Sequence, residues 1–334
     1  MFSPEKARAW YDAQPLPLGF NHIPANSISY TEMFMGYCFD PAFIEKEMRL
    51  AQSAGFNCAR LVLPFIVWEN EPDAFKKRLG TYLGICADCG VKIMPTLFDD
   101  CGFGDQVNPV FGRQPDVIPG WYANGWTPSP GHDIVRDSAQ WRRLELYVKD
   151  IIGTFKDDPR VWIWDLYNEP TNGVNIGAFY QQLGDVSLPL VENVFAWARE
   201  VNPTQPLTLG VWNDNEKLNK IALDNSDIIT FHCYDKPEGL RTRITELKAR
   251  SNGRPLICTE WMSRGYGSTV AGCLPVFRRE NVGTMHWGLV NGKTQTHLGW
   301  RHLPGQPVSD IWQHDLFHPD HTPYDPEEIR MFAM

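Results

Sequence analysis

The chain has 334 residues, 43% of them hydrophobic, with a formal net charge of −9. That length holds a large core, and an acidic balance with no run of Lys or Arg argues against nucleic acid as a partner. No stretch approaches the roughly 18 uninterrupted apolar residues of a membrane span, so no membrane partner is expected either. Residues 1–8, Met-Phe-Ser-Pro-Glu-Lys-Ala-Arg, are not followed by an apolar h-region. The reading is therefore no secretory signal, and a cytoplasmic location is the expectation.

From there strand-like and helix-like segments alternate without a repeat or a low-complexity linker. Strands are read at 16–21, 58–63, 91–97, 161–167, 206–209, 228–231, 255–258 and 283–287, from short apolar runs bounded by turn residues. Helical spacing of apolar residues appears at 41–54, 73–89, 139–156, 188–201, 241–250 and 269–280. Asp40-Pro41 and Glu71-Pro72 read as helix starts, Gly55 and Gly90 as helix stops. Eight strands with intervening helices predict an α/β fold, a single (β/α)₈ TIM barrel over residues 1–334. Two βα loops are long. Residues 98–137, after the third strand, hold six Gly and five Pro together with Trp121, Tyr122 and Trp126. The second insertion, 288–307, follows the eighth strand. Loops of this length in a compact domain are functional or disordered, and the aromatics favour an ordered wall over the cleft.

The eight Cys stand at 38, 58, 86, 89, 101, 233, 258 and 273. Cys58, Cys233 and Cys258 fall within or beside strand-like runs and read as small buried hydrophobes. Without a signal, reduced thiols are the simple account. Cys86-x-x-Cys89 lies late in a predicted helix and has no second pair, which makes zinc or redox work a poor reading. There is no His-Glu-x-x-His word, no calcium loop and no clustered His/Cys set, so neither a metal nor another cofactor is expected. The 13 Trp suit the flat C–H faces of sugars, although most are expected in the core.

Two words carry the chemistry. Asn168-Glu169-Pro170 ends the fourth apolar run, and Thr259-Glu260-Trp261 ends the seventh. Each sets a glutamate where a buried strand stops, at the end of a barrel where sites are built. Two such carboxylates can face each other, one protonated and one ionised, as cleavage of a glycosidic bond requires.

In that setting the chain resembles glycoside hydrolase clan A, the retaining (β/α)₈ enzymes that include family 5. The resemblance covers nearly the whole chain. Residues 55–60, Gly-Phe-Asn-Cys-Ala-Arg, look like the second-strand arginine motif, His232-Cys233-Tyr234 like the sixth-strand His-x-Tyr, and Trp287 like the eighth-strand tryptophan. Local wording at 19–34, 288–296 and 311–324 is similar to bacterial proteins described as cellulase-like or 1,4-β-xylanase-like. The resemblance implies a carbohydrate substrate, with Glu169 as general acid and then base and Glu260 as nucleophile. It also implies that Arg60 and the Tyr234 hydroxyl keep Glu260 ionised, that Asn168 binds the sugar 2-hydroxyl, and that Trp287 floors the sugar subsite. It implies carboxyl groups about 5 Å apart, and a non-proline cis bond after Trp287.

One departure stands out. Many family 5 glucanases carry paired histidines after the third strand, where this chain has Phe98-Asp99-Asp100. Asp99 and Asp100 read equally as acceptors for sugar hydroxyls or as caps of the following turn. His232 reads equally as a core imidazole or a substrate contact. Hydrolysis leads the functional reading. Transglycosylation by the same residues and a non-catalytic carbohydrate-binding barrel are its rivals, and oligomeric state is open. A cytoplasmic enzyme meets short imported sugars rather than polymer. The loop with Trp121 and Trp126 would then wall off one end of the cleft, so short β-linked oligosaccharides or glycosides are the expected substrates.

Overall fold

The computed structural model describes residues 1–176 and 179–334. Eight parallel strands make one sheet: β1 (Leu18–Asn21), β2 (Cys58–Val62), β3 (Lys92–Thr96), β4 (Trp164–Asp165), β5 (Leu207–Thr208), β6 (Ile229–His232), β7 (Leu256–Glu260) and β8 (Gly283–Trp287). Their spatial order, β5-β4-β3-β2-β1-β8-β7-β6, is the chain order wound round a ring. The ring closes where Val211, just past β5, bridges Phe231 of β6 in parallel. The hydroxyls of Thr208 and Thr230 meet at the same seam, 2.8 Å apart. This is the (β/α)₈ barrel expected from the alternation of segments.

A helix follows each strand: Pro41–Ser53, Pro72–Asp88, Trp141–Phe155, Leu188–Val201, Glu216–Asn225, Pro237–Arg250, Val270–Glu280 and Pro326–Ala333. Asp40 caps the first by accepting from the amides of Ala42 and Phe43, and Pro41 fills the first turn, whose amides lack intrahelical partners anyway. The helices at Glu216–Asn225 and Pro326–Ala333 were not expected. Both carry a start signal: the Asn215 side chain accepts from Lys217 and Leu218, and Asp325 from Glu327, just before Pro326 at N1. β4 and β5 are two residues long, although the mainly apolar runs that hold them are longer. Only Trp164 and Asp165 keep the regular ladder, whereas the segment at Val161 meets β3 in an isolated bridge, with the Ile93 amide donating to the Arg160 carbonyl and the Trp162 amide to the Ile93 carbonyl.

Below the barrel, Phe2 and, from the amino-terminal helix Pro4–Asp12, Ala7 and Tyr11 pack on Met94, Trp162, Ile163, Ile257 and Met285. The Phe2 amide donates to Asp227 Oδ1 at 2.6 Å. That floor leaves the opposite end, where β4 and β7 deliver their glutamates, as the end open to ligands. Two antiparallel strands, Gly173–Ile176 and Phe179–Gln182, stand there after β4. All eight cysteines are free thiols; Cys86 in the helix Pro72–Asp88 and Cys89 at its C-cap are buried. Among the described residues no helix is long and apolar enough to cross a membrane.

Candidate active site

The carboxyl ends of the strands converge on one buried guanidinium. Arg60 on β2 is 1% exposed. It donates from Nε to Asp165 Oδ2 (2.8 Å), from Nη1 to Glu260 Oε1 (2.8 Å) and Asn21 Oδ1 (3.0 Å), and from Nη2 to Asn168 Oδ1 (2.7 Å). Asn21 is anchored in turn by donating to the carbonyls of Thr259 and His286. One side chain thus ties β1, β2, β4 and β7 together. A buried charge of this kind is tolerable only because its hydrogen bonds are filled.

Glu260 closes β7. Its Oε1 faces Arg60, and its Oε2 accepts from the Tyr234 hydroxyl at 2.9 Å. A register shift between Phe231 and His232 pairs His232 with Glu260 and brings its Nδ1 within 3.5 Å of Glu260 Oε2. Glu169 follows β4 in the left-handed region, with φ 42°, and Thr171 repeats that conformation at φ 76°. These two turns fold the chain back so that Asn172 Nδ2 reaches Glu169 Oε2 at 2.6 Å. The Cys101 thiol lies 3.0 Å from the same oxygen, and His232 Nδ1 lies 2.7 Å from Glu169 Oε1. Oxygens of Glu169 and Glu260 come within 4.8 Å of each other, with His232 between them. Each of these carboxylate oxygens already has a protein hydrogen-bond partner, so a cation placed there would compete with Arg60. All of these groups except Arg60 border a cleft of about 580 Å³ that also reaches Trp126, Trp212, Trp287 and Trp300.

The family model described as Cellulase (glycosyl hydrolase family 5) matches residues 28–300. The chain belongs to glycosyl hydrolase family 5. A curated protein of Emericella nidulans, "Probable mannan endo-1,4-beta-mannosidase F", is 25% identical over 131 residues, covering 34% of this chain and 28% of its own length. The family 5 chain also superposes on an exo-β-1,4-mannosidase from Opitutaceae bacterium strain TAV5 with a TM-score of 0.65 at 16% identity, over 96% of this chain and 59% of the other. A GH5_18 protein from Streptomyces cattleya, solved with Manβ1-4GlcNAc, gives the same TM-score, 0.65, at 11% identity, over 96% and 80%. At these identities the two structural likenesses concern the fold.

In this family 5 chain burial pushes both glutamates up, Glu260 to about 7, and the nearby Glu169 carboxylate adds to the rise of Glu260. Two like charges this close cannot both ionise freely, so the pair holds one proton near neutral pH. Arg60 and the Tyr234 hydroxyl stabilise the charge on Glu260, whereas the direct partners of Glu169 are neutral. The shared proton therefore belongs on Glu169. His232 is lowered to about 4 by burial and is neutral, so it does not oppose that placement.

Asp99 and Asp100 are fully buried and do not border the cleft. Asp99 accepts from Asn168 Nδ2 (2.8 Å), the Cys101 amide (2.9 Å) and Trp126 Nε1 (2.8 Å). Asp100 accepts from the Tyr167 hydroxyl and the Thr171 amide. Of the two readings offered for these aspartates, contact with sugar hydroxyls gives way to internal support, because every one of their oxygens is engaged behind Asn168 and Trp126. His232 likewise gives Nδ1 to Glu169, while its Nε2 lies against Gly210.

Trp126 is 2% exposed, with its ring 5.3 Å from Trp287 and 4.8 Å from Tyr30. It stands in the cleft wall that the two insertions build together. The amides of Tyr122 and Ala123 donate to the carbonyls of His302 and Thr294, and Gln295 Nε2 donates to the carbonyls of Ile118 and Trp121. Trp121 sits behind this wall, its Nε1 bound to the Phe103 carbonyl. The expected cis bond after Trp287 is absent. Ser129-Pro130 is the cis peptide among the described residues. Gly288, at φ 77°, makes the turn instead, where a Cβ would strike Asp315 Oδ1 at 2.3 Å.

Cys101, Asn172 and Asp165 were missed as site residues. Of these only Asp165 carried a sequence signal, an acidic residue inside an apolar strand. Cys101 yields a direct prediction. Its thiol donates to the ionised form of Glu169 and so lowers that carboxyl's pKa. Cys101→Ala therefore moves the alkaline limb of kcat/KM to higher pH, and Cys101→Ser does not. A pH profile that Cys101→Ala leaves unchanged would remove the thiol from the account.

Proposed function

We propose that this family 5 chain is a retaining β-glycoside hydrolase acting by double displacement. The carrying observation is the pair of carboxylates within 4.8 Å, one of them held by Arg60 and Tyr234. Inverting enzymes keep their carboxyls roughly 6.5–9.5 Å apart to admit water, and retaining ones about 5–5.5 Å. In the first step Glu260 attacks the anomeric carbon while Glu169 passes its proton to the departing glycosidic oxygen. A covalent glycosyl–Glu260 ester forms with inverted configuration. In the second step Glu169, now a carboxylate, takes a proton from water, whose oxygen displaces Glu260 and restores the β configuration. Asn168 spends Oδ1 on Arg60 and one Nδ2 hydrogen on Asp99. Its other hydrogen has only Cys101 Sγ at 3.7 Å, which leaves it for the sugar 2-hydroxyl. Trp287 serves as the floor of that subsite.

The substrate reading follows from the wall. With Trp126, Tyr122 and the two zipped insertions closing the cleft beside Trp287, a chain enters by its terminus. This favours release of terminal sugars from short β-linked oligosaccharides over cleavage within polymer. The names of the similar proteins make β-1,4-mannosides the first substrates to test. The experiment is a screen of aryl β-glycosides and defined oligosaccharides with products resolved by size. Terminal monosaccharide released from every chain length supports the reading. Early mid-length products from intact polymer contradict it, and products longer than the substrate reveal transfer to a sugar acceptor.

Glu169→Ala separates the roles of the glutamates. It should cost about 10²–10⁴ in kcat/KM on oligosaccharides, whose leaving groups need a proton. The loss should be far smaller on aryl glycosides with acidic phenols. Equal losses on both would deny Glu169 the role of acid.

A further inference from the structure

The open side of the cleft does not end at its rim. Trp300 of the second insertion stands edge-on to Tyr234, with centroids 4.9 Å apart at 85°. On its far side it stacks against Tyr266, at 5.3 Å and 26°. Tyr266 is 60% exposed. Its turn is fixed. The backbone of Ser263 bridges Ser268, and Arg264 is bound to Glu328 and to the carbonyl of Asp315. Beyond Trp300 lies a second hollow of about 620 Å³, bordered by Tyr266 and fringed by Asp235, Lys236 and Glu238. Tyr234, Asp235 and Trp300 border both this hollow and the catalytic cleft.

From this continuity we propose that Trp300 and Tyr266 form an outer sugar-binding platform. Its occupant is the part of a β-linked oligosaccharide that projects from the cleft on the leaving-group side. The inference rests on the glycosidase reading above. The wall of Trp126 and Tyr122 closes the cleft beside Trp287, so whatever exceeds the pocket leaves by the mouth that Trp300 borders. An aromatic stack whose outer ring, Tyr266, is exposed and has polar groups at its edges matches a pyranose, which offers apolar C–H faces and a belt of hydroxyls. Rigid rings lose little conformational freedom on binding, which makes an exposed tyrosine on a fixed turn an efficient contact.

The test compares Tyr266→Ala and Tyr266→Phe with the wild type on an aryl β-glycoside and on β-1,4-linked di-, tri- and tetrasaccharides. The platform predicts that wild-type kcat/KM rises with chain length. It predicts that Tyr266→Ala loses about tenfold on the longer substrates through KM. Activity on the aryl glycoside should stay unchanged, and Tyr266→Phe should restore the loss. The unchanged aryl glycoside also reports that the variant is folded. Equal effects on all substrates, no effect on the longer ones, or no chain-length dependence in the wild type would each overturn the platform. A wild-type protein that cleaves none of these substrates would fail at the level of the enzymatic reading itself, and the platform would fall with it.

Discussion

Glu260→Ala is expected to lower kcat on every substrate by about 10⁵, with the protein still folded. No neighbour can take its place. Glu169 is committed to the leaving oxygen, and Tyr234 and Arg60 are donors aimed at Glu260 itself. The loss should not depend on the leaving group, because departure without a nucleophile is slow even for a good one. The void left by the carboxylate admits a small anion beside the Arg60 charge. Azide should therefore restore turnover of an activated aryl β-glycoside and give the α-glycosyl azide, whose configuration reports attack from the side of Glu260. Glu169→Ala with azide should give the β product instead, since Glu260 still acts first. A Glu260→Ala enzyme that retains a hundredth of wild-type activity would place the nucleophile elsewhere.

Arg60→Ala is expected to cost both stability and activity. Arg60 binds Asp165 and Glu260 directly, and all three side chains are nearly inaccessible to water. Removing one partner of a buried ion pair costs about 3–5 kcal/mol, because the remaining charge is neither paired nor solvated. Glu260, whose pKa the Arg60 charge holds down, would answer by binding its proton more tightly. A protonated Glu260 is no nucleophile, so kcat/KM should collapse at neutral pH beyond what unfolding explains. Arg60→Lys should recover part of the stability and less of the activity, since an ammonium cannot present the fork that meets Asn21, Asp165, Asn168 and Glu260 together. Denaturant unfolding at constant m, run beside kinetics on the folded fraction, measures both effects. An unchanged midpoint would mean that the cluster does not hold the barrel ends together.

What the sequence disclosed depended on whether a signal was local. β8 falls at the predicted residues, and every predicted strand position holds a barrel strand, because apolar runs between Gly, Pro and Asn mark buried parallel strands well. β4 and β5 are shorter than their runs because their mutual ladder is regular only at Trp164–Asp165 and Leu207–Thr208, a pairing that no single run encodes. The glutamates were legible because strand ends in a barrel point at one place. Cys101 was not. It lies in a Gly-rich loop, 68 residues from Glu169, and only the paired left-handed turns at Glu169 and Thr171 bring Asn172 beside it. The two readings of Asp99 and Asp100 could be separated only by burial, since a cap and a sugar ligand have the same sequence. Tyr266 gave no signal at all. It becomes informative once Trp300, brought by the second insertion, stacks on it.

The central claim is retention through Glu260 and Glu169, and one measurement addresses it most directly. Proton NMR of the first minutes of hydrolysis of a β-linked disaccharide or aryl β-glycoside shows the anomer formed before mutarotation. The account predicts that the β anomer appears first and the α anomer grows in later at the rate of free mutarotation. Initial release of the α anomer would contradict it.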